Sequence, residues 1–396
     1  MNRVFDISVM GRNCPGRLVE LSLPATTYEL MDMLEQLGDE DIDALDYWIE
    51  DTKVVFLPHA ENDEITVKQL NHIALKVSQM DELQRIALGG LIKMECRKRQ
   101  TDHLAFPKLL HLIESADFCH VIREAKDDKH LGRFYAENGF IEGVDALPDW
   151  LFKILDFEKI GREMRVAEGG FFAYDGYVVR HQELPEPSDL PNLNLVKPDY
   201  TILLEIRENG DPNAPYLDIE LPLLEDKIEE LQEKYPRREY EYSFVDCAIP
   251  FFREYIGGVG TELWEINQFA KQMDHAIQHG LLPKYKAVLQ ATGCRDVEIA
   301  AELGSSQTLA EYQLSAPQRD MDAPTAYAVK WVQEHFGRGS EMEFLRDIRD
   351  MKRSLMAHDN IGKTDYGLIQ RIDGEPIQQL DQTPSSGLQM GGIGGM

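Results

Sequence analysis

Two runs of carboxylates carry the chemistry this sequence offers. In the first, Glu29, Asp32, Glu35, Asp39, Glu40, Asp41, Asp43 and Asp46 follow one another one to four residues apart; in the second, Glu225, Asp226, Glu229, Glu230 and Glu233 do the same. Residues 21–70 hold thirteen acidic and two basic side chains, and residues 201–250 hold thirteen and five, so the two stretches carry net charges of −11 and −8. Side chains three or four apart are neighbours on a helix surface, and both runs are expected to lie on solvent faces. DNA carries one phosphate charge per about 1.7 Å of duplex axis. Carboxylates at comparable density would present a phosphate-binding groove of Lys and Arg with a matching surface, and association with such a groove would be fast and salt-sensitive.

Other chemistries find no pattern to rest on. No G-x-x-x-x-G-K-[ST] is present, and IGGVGTE at 256–262 lacks the lysine and the strand-to-helix context of a phosphate cradle. There is no H-E-x-x-H, G-x-S-x-G or CxxC. His103 and His111, eight apart, and His120 and His130, ten apart, do not space as a ligand set; His59 and His72 read as surface or satisfied structural residues. Asp127-Asp128 is a pairing common in an acidic chain and weak evidence for a cation. No catalytic residue, cofactor-binding residue or metal ligand is therefore assigned, no cofactor is expected, and the chain reads as a non-enzyme.

Over the whole chain, 70 Asp and Glu stand against 41 Lys and Arg, a formal net charge of −29 on 396 residues. That balance disfavours direct binding to nucleic acid or to an anionic membrane. Five scattered cysteines, at 14, 96, 119, 247 and 294, fit reduced thiols in a cytoplasmic compartment. The N-terminus lacks the apolar run of a signal peptide, and no stretch is long enough to span a bilayer.

The elements that must position the acids can be read from periodicity. Residues 4–10 and 17–23 read as two strands, and Thr26 or Thr27 caps a helix whose stripe of Leu30, Met33, Leu34 and Leu37 ends at Gly38. DALDYWIED reads as a third strand, followed by KVVFLP. ITVKQLNHIALKVSQMDELQRIALGGLIKM is helical by period, with Leu70, Ile73, Val77 and Met80 buried, and further helices are expected at FPKLLHLIESADF and KHLGRFYAENG. FFAYDGYVVR closes the region as a strand or hairpin. After a proline-rich, aperiodic linker the opening pattern returns: strand, turn, strand, charged helix at LLEDKIEELQEKY, then EYEYSFVDCAIPFF. Leu70-Asn71 and Ile266-Asn267 stand 196 residues apart, which suggests a partial duplication. The helices APTAYAVKWVQEHF and SEMEFLRDIRDMKRSLMAHD come last, TDYGLIQRIDGEPIQQL carries little pattern, and the glycine-rich end reads as a disordered tail.

The expected fold class is thus α+β and multi-domain: small mixed α/β modules with helical bundles, elongated, with a disordered C-terminal tail. The expected divisions are an acidic region 1–181 (an α/β module 1–65, a helical part 66–125, and helix-loop-strand 126–181) and a linker 182–198. Beyond them come a second acidic module 199–318, a helical region 319–380 and the tail 381–396.

One segment carries a family likeness. Leu131-Gly132, Tyr135-x-Glu137-x-Gly139, Leu147-Pro148, Leu155-Asp156-Phe157 and Ile160-Gly161-Arg162-Glu163, closing on Gly176-Tyr177-Val178, resemble the C-terminal part of the ArdA-type antirestriction proteins. The opening is similar too: a strand, a loop with glycine, a second strand ending in Leu-Pro, an acidic helix, and Leu70-Asn71 starting the next. The likeness spans about residues 1–180. It implies a protein of phages and conjugative elements, acting in the cytoplasm of a bacterial host as a DNA mimic in the DNA-binding groove of type I restriction-modification enzymes. It implies no cofactor and a homodimer, the usual assembly of the family. The residues carried over, Leu131, Gly132, Tyr135, Glu137, Gly139, Leu155, Asp156, Gly161, Arg162 and Glu163, read as structural: Gly139 ending a helix, Leu155 and Phe157 filling core, Arg162 pairing with a carboxylate. The contacting groups would be the dispersed acids, with Glu29 to Asp46 and Glu225 to Glu233 foremost. The family's simpler members are less than half this length, and residues 199–396 lie outside the likeness. In that part the nearest approach to the block is DVEIAAELGSSQTLAEYQL. Two other uses of an acidic surface stay open: inhibition of a CRISPR effector or other host defence complex, and a non-catalytic scaffold or regulator of a mobile element.

Overall fold

In a computed structural model the chain is described over residues 3–12, 17–52, 65–101, 104–144, 146–211, 214–253, 262–315, 323–340 and 344–380. The expected tail at 381–396, KVVFLP, most of IGGVGTE, Cys14, His59 and His103 lie outside these residues. The architecture is mixed α/β and multi-domain, with four separate three-stranded sheets and helical segments among the described residues. Two compact units divide it. The first comprises Met1–Val9, Glu20–Ala25 and Ile42–Asn194, and the second Met10–Val19, Thr26–Asp41 and Leu195–Met396. Among the described residues no helix is long and apolar enough to cross a membrane.

The first half opens with β1 (Phe5–Met10), β2 (Leu18–Leu23), α1 (Thr27–Leu37) and β3 (Asp46–Thr52), the strands lying in the order β2-β1-β3. Phe5, Ile7 and Val9 alternate into the core as a half-buried strand requires. Thr26 caps α1: its hydroxyl accepts the Glu29 amide at 3.3 Å while the Glu29 carboxylate accepts the Thr26 amide at 2.7 Å. Gly38, at φ 64°, ends the helix where an L side chain would be strained. The single helical stretch expected next is two helices, α2 (Val67–Ser78) and α3 (Glu82–Arg99), because Asp81 and Gln84 form a capping box of their own that restarts the chain. α4 (Phe106–Glu114), β4 (Cys119–Ile122), α5 (Asp128–Glu137), α6 (Asp149–Phe152) and α7 (Phe157–Glu168) follow. The hairpin β5 (Phe171–Ala173) and β6 (Gly176–Arg180) then completes a sheet of order β4-β6-β5. The proline-rich stretch after Arg180 contains no helix or strand before Ile202, and the last of the boundaries between the two units, at Asn194, falls inside it.

The second half repeats this order. β7 (Ile202–Glu208), β8 (Leu217–Leu221), α8 (Glu225–Lys234) and β9 (Tyr240–Cys247) give strand order β8-β7-β9. There follow α9 (Leu263–Gln278), α10 (Leu282–Thr292), α11 (Val297–Leu303), α12 (Ser306–Ala310) and β10 (Tyr312–Ser315). Last come α13 (Ala323–Phe336), α14 (Leu345–His358), β11 (Gly362–Thr364) and β12 (Gly367–Arg371), with strand order β10-β12-β11. TDYGLIQR, which shows little pattern in sequence, is therefore the closing hairpin. Its strands are too short for alternation to register, and Gly367 turns at φ 126° as Gly176 does at φ 144°. The counterparts of α5 and α7 in this order are α13 and α14. DVEIAAELGSSQTLAEYQL instead forms α11, α12 and the start of β10.

A side-chain clamp recurs with the order. In the first half the Asn71 side chain accepts the Ala25 amide at 2.7 Å and donates to the Ala25 carbonyl at 3.0 Å. In the second, Asn267 does the same to Leu223, at 2.7 and 2.9 Å. Each clamped residue lies two positions beyond the leucine of a cis Leu-Pro bond, Leu23-Pro24 and Leu221-Pro222. Asn267 is 1% exposed. Asn267→Ala removes both partners of the Leu223 peptide groups, and a loss of about 2–4 kcal/mol is expected in urea unfolding; a change below about 0.5 kcal/mol would mean that solvent replaces the clamp.

Candidate functional site

The second acidic run lies where sequence reasoning puts it. Ile228 and Leu231 of α8 face the core of the second unit, with Ile266, Phe269 and Met273 of α9 in the same cluster. Burying that stripe turns Glu225, Asp226, Glu229, Glu230 and Glu233 outward, and all five are exposed. Glu225 and Asp226 sit in the first turn, where the helix dipole favours anions. Their cationic neighbours are few: Lys271 lies 3.2 Å from Glu225, and Lys227 lies 2.7 Å from Glu230, holding its carboxyl below the usual range. Between α8 and the edge strand β8 runs an open groove of about 600 Å³, bordered by Asp218, Glu220, Lys227, Glu230 and Lys234.

The first run is divided. Asp43 and Asp46 are exposed in the first unit, Asp43 with Lys68 at 2.5 Å. Glu40 and Asp41 are exposed, and Asp39 and Glu29 are half-buried, Glu29 within 3.5 Å of Arg253. Asp32 and Glu35 correct the expectation of a solvent face. Asp32 is 7% exposed, and both carboxylates close on Lys286 of α10, which is 1% exposed. The Lys286 Nζ lies 2.5 Å from Asp32 Oδ1 and 2.7 Å from Glu35 Oε2, and the Tyr366 hydroxyl donates to Asp32 Oδ1 at 2.8 Å. The physical reason is that α1 is buried on two sides. Tyr28 and Met31, which share the acidic side, pack into the second unit's core, and their neighbours follow them out of water. Burial alone would lower the Lys286 pKa, but Asp32 and Glu35 outweigh it and raise it. Burial likewise raises Glu35 against the pull of Lys286. Tyr366 is raised by burial and by Asp32, and so remains a donor.

Lys286 is the residue sequence reasoning missed. The available signal was a lysine among Tyr285, Ala287, Val288 and Leu289 together with Tyr28 and Met31 on an otherwise acidic helix face.

The family-like block builds one helix pair in the first unit. α5 and α7 cross at Gly132 and Gly161: a Cβ on Gly132 would stand 1.9 Å from the Phe157 carbonyl oxygen, and one on Gly161 1.8 Å from that of Asp128. Arg165 grips Asp128 with two nitrogens, at 2.7 and 3.0 Å, and Arg162 pairs with Glu158 at 2.8 Å. Leu131 and Tyr135 are buried; the hydroxyls of Tyr135 and Tyr177 donate to Glu168 at 2.8 and 3.3 Å. Asp156 caps α7 through the Lys159 amide at 3.1 Å, Gly139 takes φ 73° just past α5, and Leu155 is half-buried. Glu137, paired with Arg133, and Glu163 face solvent.

No cluster of three or more His, Cys, Asp or Glu with metal-site geometry occurs among the described residues. His111 is buried and His72 packs edge-on against Phe106. Cys119 is half-buried and Cys247 is buried. No family model matches the chain, and no curated protein matches it.

Proposed function

We propose that this protein is a stoichiometric antirestriction factor that imitates DNA and occupies the DNA-binding groove of type I restriction-modification enzymes in a bacterial cytoplasm. The observation that carries the reading is the charge density of α8. Glu225 to Glu233 holds five exposed carboxylates and one lysine, and at 1.5 Å of rise per residue the segment is roughly 12 Å long. A net four negative charges over that length is about one per 3 Å, close to the 3.4 Å per phosphate along one DNA strand. The target class comes from the resemblance to ArdA-type proteins. The repeated element order supports a tandem duplication of the whole unit, which would place in one chain what smaller members assemble as dimers.

Displacement of labelled DNA from a type I enzyme tests the reading. Near-stoichiometric protein is expected to displace the DNA in low salt, with the midpoint rising at least about tenfold between 50 and 200 mM salt, because many weak contacts are screened together. Absence of displacement at large excess in low salt would remove the type I assignment.

A further inference from the structure

The two halves use the same helix in opposite ways. Counting from the two cis prolines, Pro24 and Pro222, an offset of 198 residues sets α1 on α8. It pairs Leu30 with Ile228 and Met33 with Leu231, all four buried. The same offset pairs Tyr28 with Asp226, Met31 with Glu229, Asp32 with Glu230 and Glu35 with Glu233. On α1 this outer face is covered, and its two carboxylates close on a buried ammonium. On α8 the equivalent face is fully polar and open to solvent. The repeat gives α8 no counterpart of Lys286 at the matching position: aligning the starts of α3 and α10 places Ile86, 0% exposed, there. The cations beside Glu230 are Lys227 and Lys234 of α8 itself.

We propose that the outer face of α8, Asp226, Glu229, Glu230 and Glu233, docks a lysine-bearing surface of the target's DNA-binding groove, one ammonium seating between Glu230 and Glu233 as Lys286 seats between Asp32 and Glu35. The inference rests on the DNA-mimic reading for the identity of the partner and on the internal repeat for the geometry. Glu230 also borders the groove beside β8, so an incoming side chain has open space along the flank of the helix. A second copy of this chain is a poor occupant, since its corresponding faces carry the same sign of charge.

The test compares two charge-matched variants in the full chain. E230Q/E233Q neutralises the docking pair, and E298Q/E302Q neutralises two exposed carboxylates of α11. Each is assayed for displacement of DNA from the type I enzyme and, separately, for low-salt binding of a labelled alanine-based helical peptide with lysine at every fourth position. The expectation is that E230Q/E233Q weakens both at least about tenfold, which is 1.4 kcal/mol, while E298Q/E302Q weakens each less than about threefold. Equal losses in the two variants would overturn the docking face and leave the mimic reading intact. If wild-type protein failed to displace DNA while peptide binding still depended on Glu230 and Glu233, the mimic reading would fall and the docking face would stand. Peptide binding indifferent to E230Q/E233Q would overturn the docking face in either case.

Discussion

Lys286→Met is expected to cost the second unit about 3–5 kcal/mol of stability at neutral pH, the usual consequence of removing one partner from a buried ion pair. The side chain is 1% exposed and its ammonium is the cation that Asp32 and Glu35 share. Methionine fills similar volume, so the loss reports electrostatics rather than a cavity. Tyr366 would still donate to Asp32 Oδ1, but Glu35 would keep no partner of comparable strength. Removing the charges together reverses the argument: the triple variant K286M/D32N/E35Q should recover most of the loss, since a buried ion pair contributes little net stability over a neutral replacement. Urea unfolding, with hydrogen exchange of the α1 and α10 amides to localise the effect, separates these cases. A single variant within about 1 kcal/mol of wild type would mean that water reaches the carboxylates.

The pH dependence carries a definite sign. Lys286 has a folded pKa above its unfolded value, so its contribution is complete at neutral pH and is lost as pH rises through that raised value, above the ordinary lysine range. Glu35 is also raised. Its contribution is present in acid and is lost as pH rises through that raised value, so Glu35 does not drive acid unfolding. Without Lys286 the downward pull on Glu35 disappears. The deficit of K286M should therefore shrink as Glu35 protonates, and be smaller near about pH 5 than at pH 8.

How far these features can be read in advance depends on the range of the interactions behind them. α8 is legible because one periodic stripe, Ile228 and Leu231, decides which face is wet. The capping of α1 by Thr26, its end at Gly38 and the alternation in β1 are equally local. Asn71 and Asn267 were visible as a spacing, though not as clamps, because their partners lie 46 and 44 residues away. The burial of Asp32 and Glu35 is illegible for the same reason at greater distance: the lysine that takes them out of water is more than 250 residues along the chain. An amphipathic pattern identifies one buried side of a helix, and a second side buried by a distant partner leaves only weak marks. Here those marks were Tyr28 and Met31. The β11–β12 hairpin leaves no mark in the sequence because strands of three and five residues carry too few positions for a period of two to show.

Gly161→Ala should destabilise the first unit by about 3 kcal/mol or more, against the direction that helix propensity alone would predict. In a helix interior alanine is favoured over glycine by about 0.8–1.0 kcal/mol. The added methyl would, however, meet the Asp128 carbonyl oxygen at 1.8 Å and the Gly132 nitrogen at 2.7 Å, both backbone atoms that no rotamer change can move. α5 and α7 must then separate, which loosens the Arg165–Asp128 pair and draws Glu168 away from Tyr135. Overpacking of this kind costs about 1–3 kcal/mol even where neighbours can yield. Gly132→Ala should behave alike, with the Phe157 carbonyl at 1.9 Å. Gly143→Ala is the control: its φ of 79° strains any L residue, but nothing lies within 4 Å, and the cost should stay near about 1–2 kcal/mol. Thermal unfolding with hydrogen exchange across α5 and α7 reads the difference, and near-equal effects at the three glycines would refute the close crossing. The same variants bear on function. If the family-like block is structural and α8 carries the contacts, Gly161→Ala should leave DNA displacement unchanged wherever the second unit stays folded. Loss of displacement in step with loss of α5–α7 packing would instead give that helix pair a share in binding.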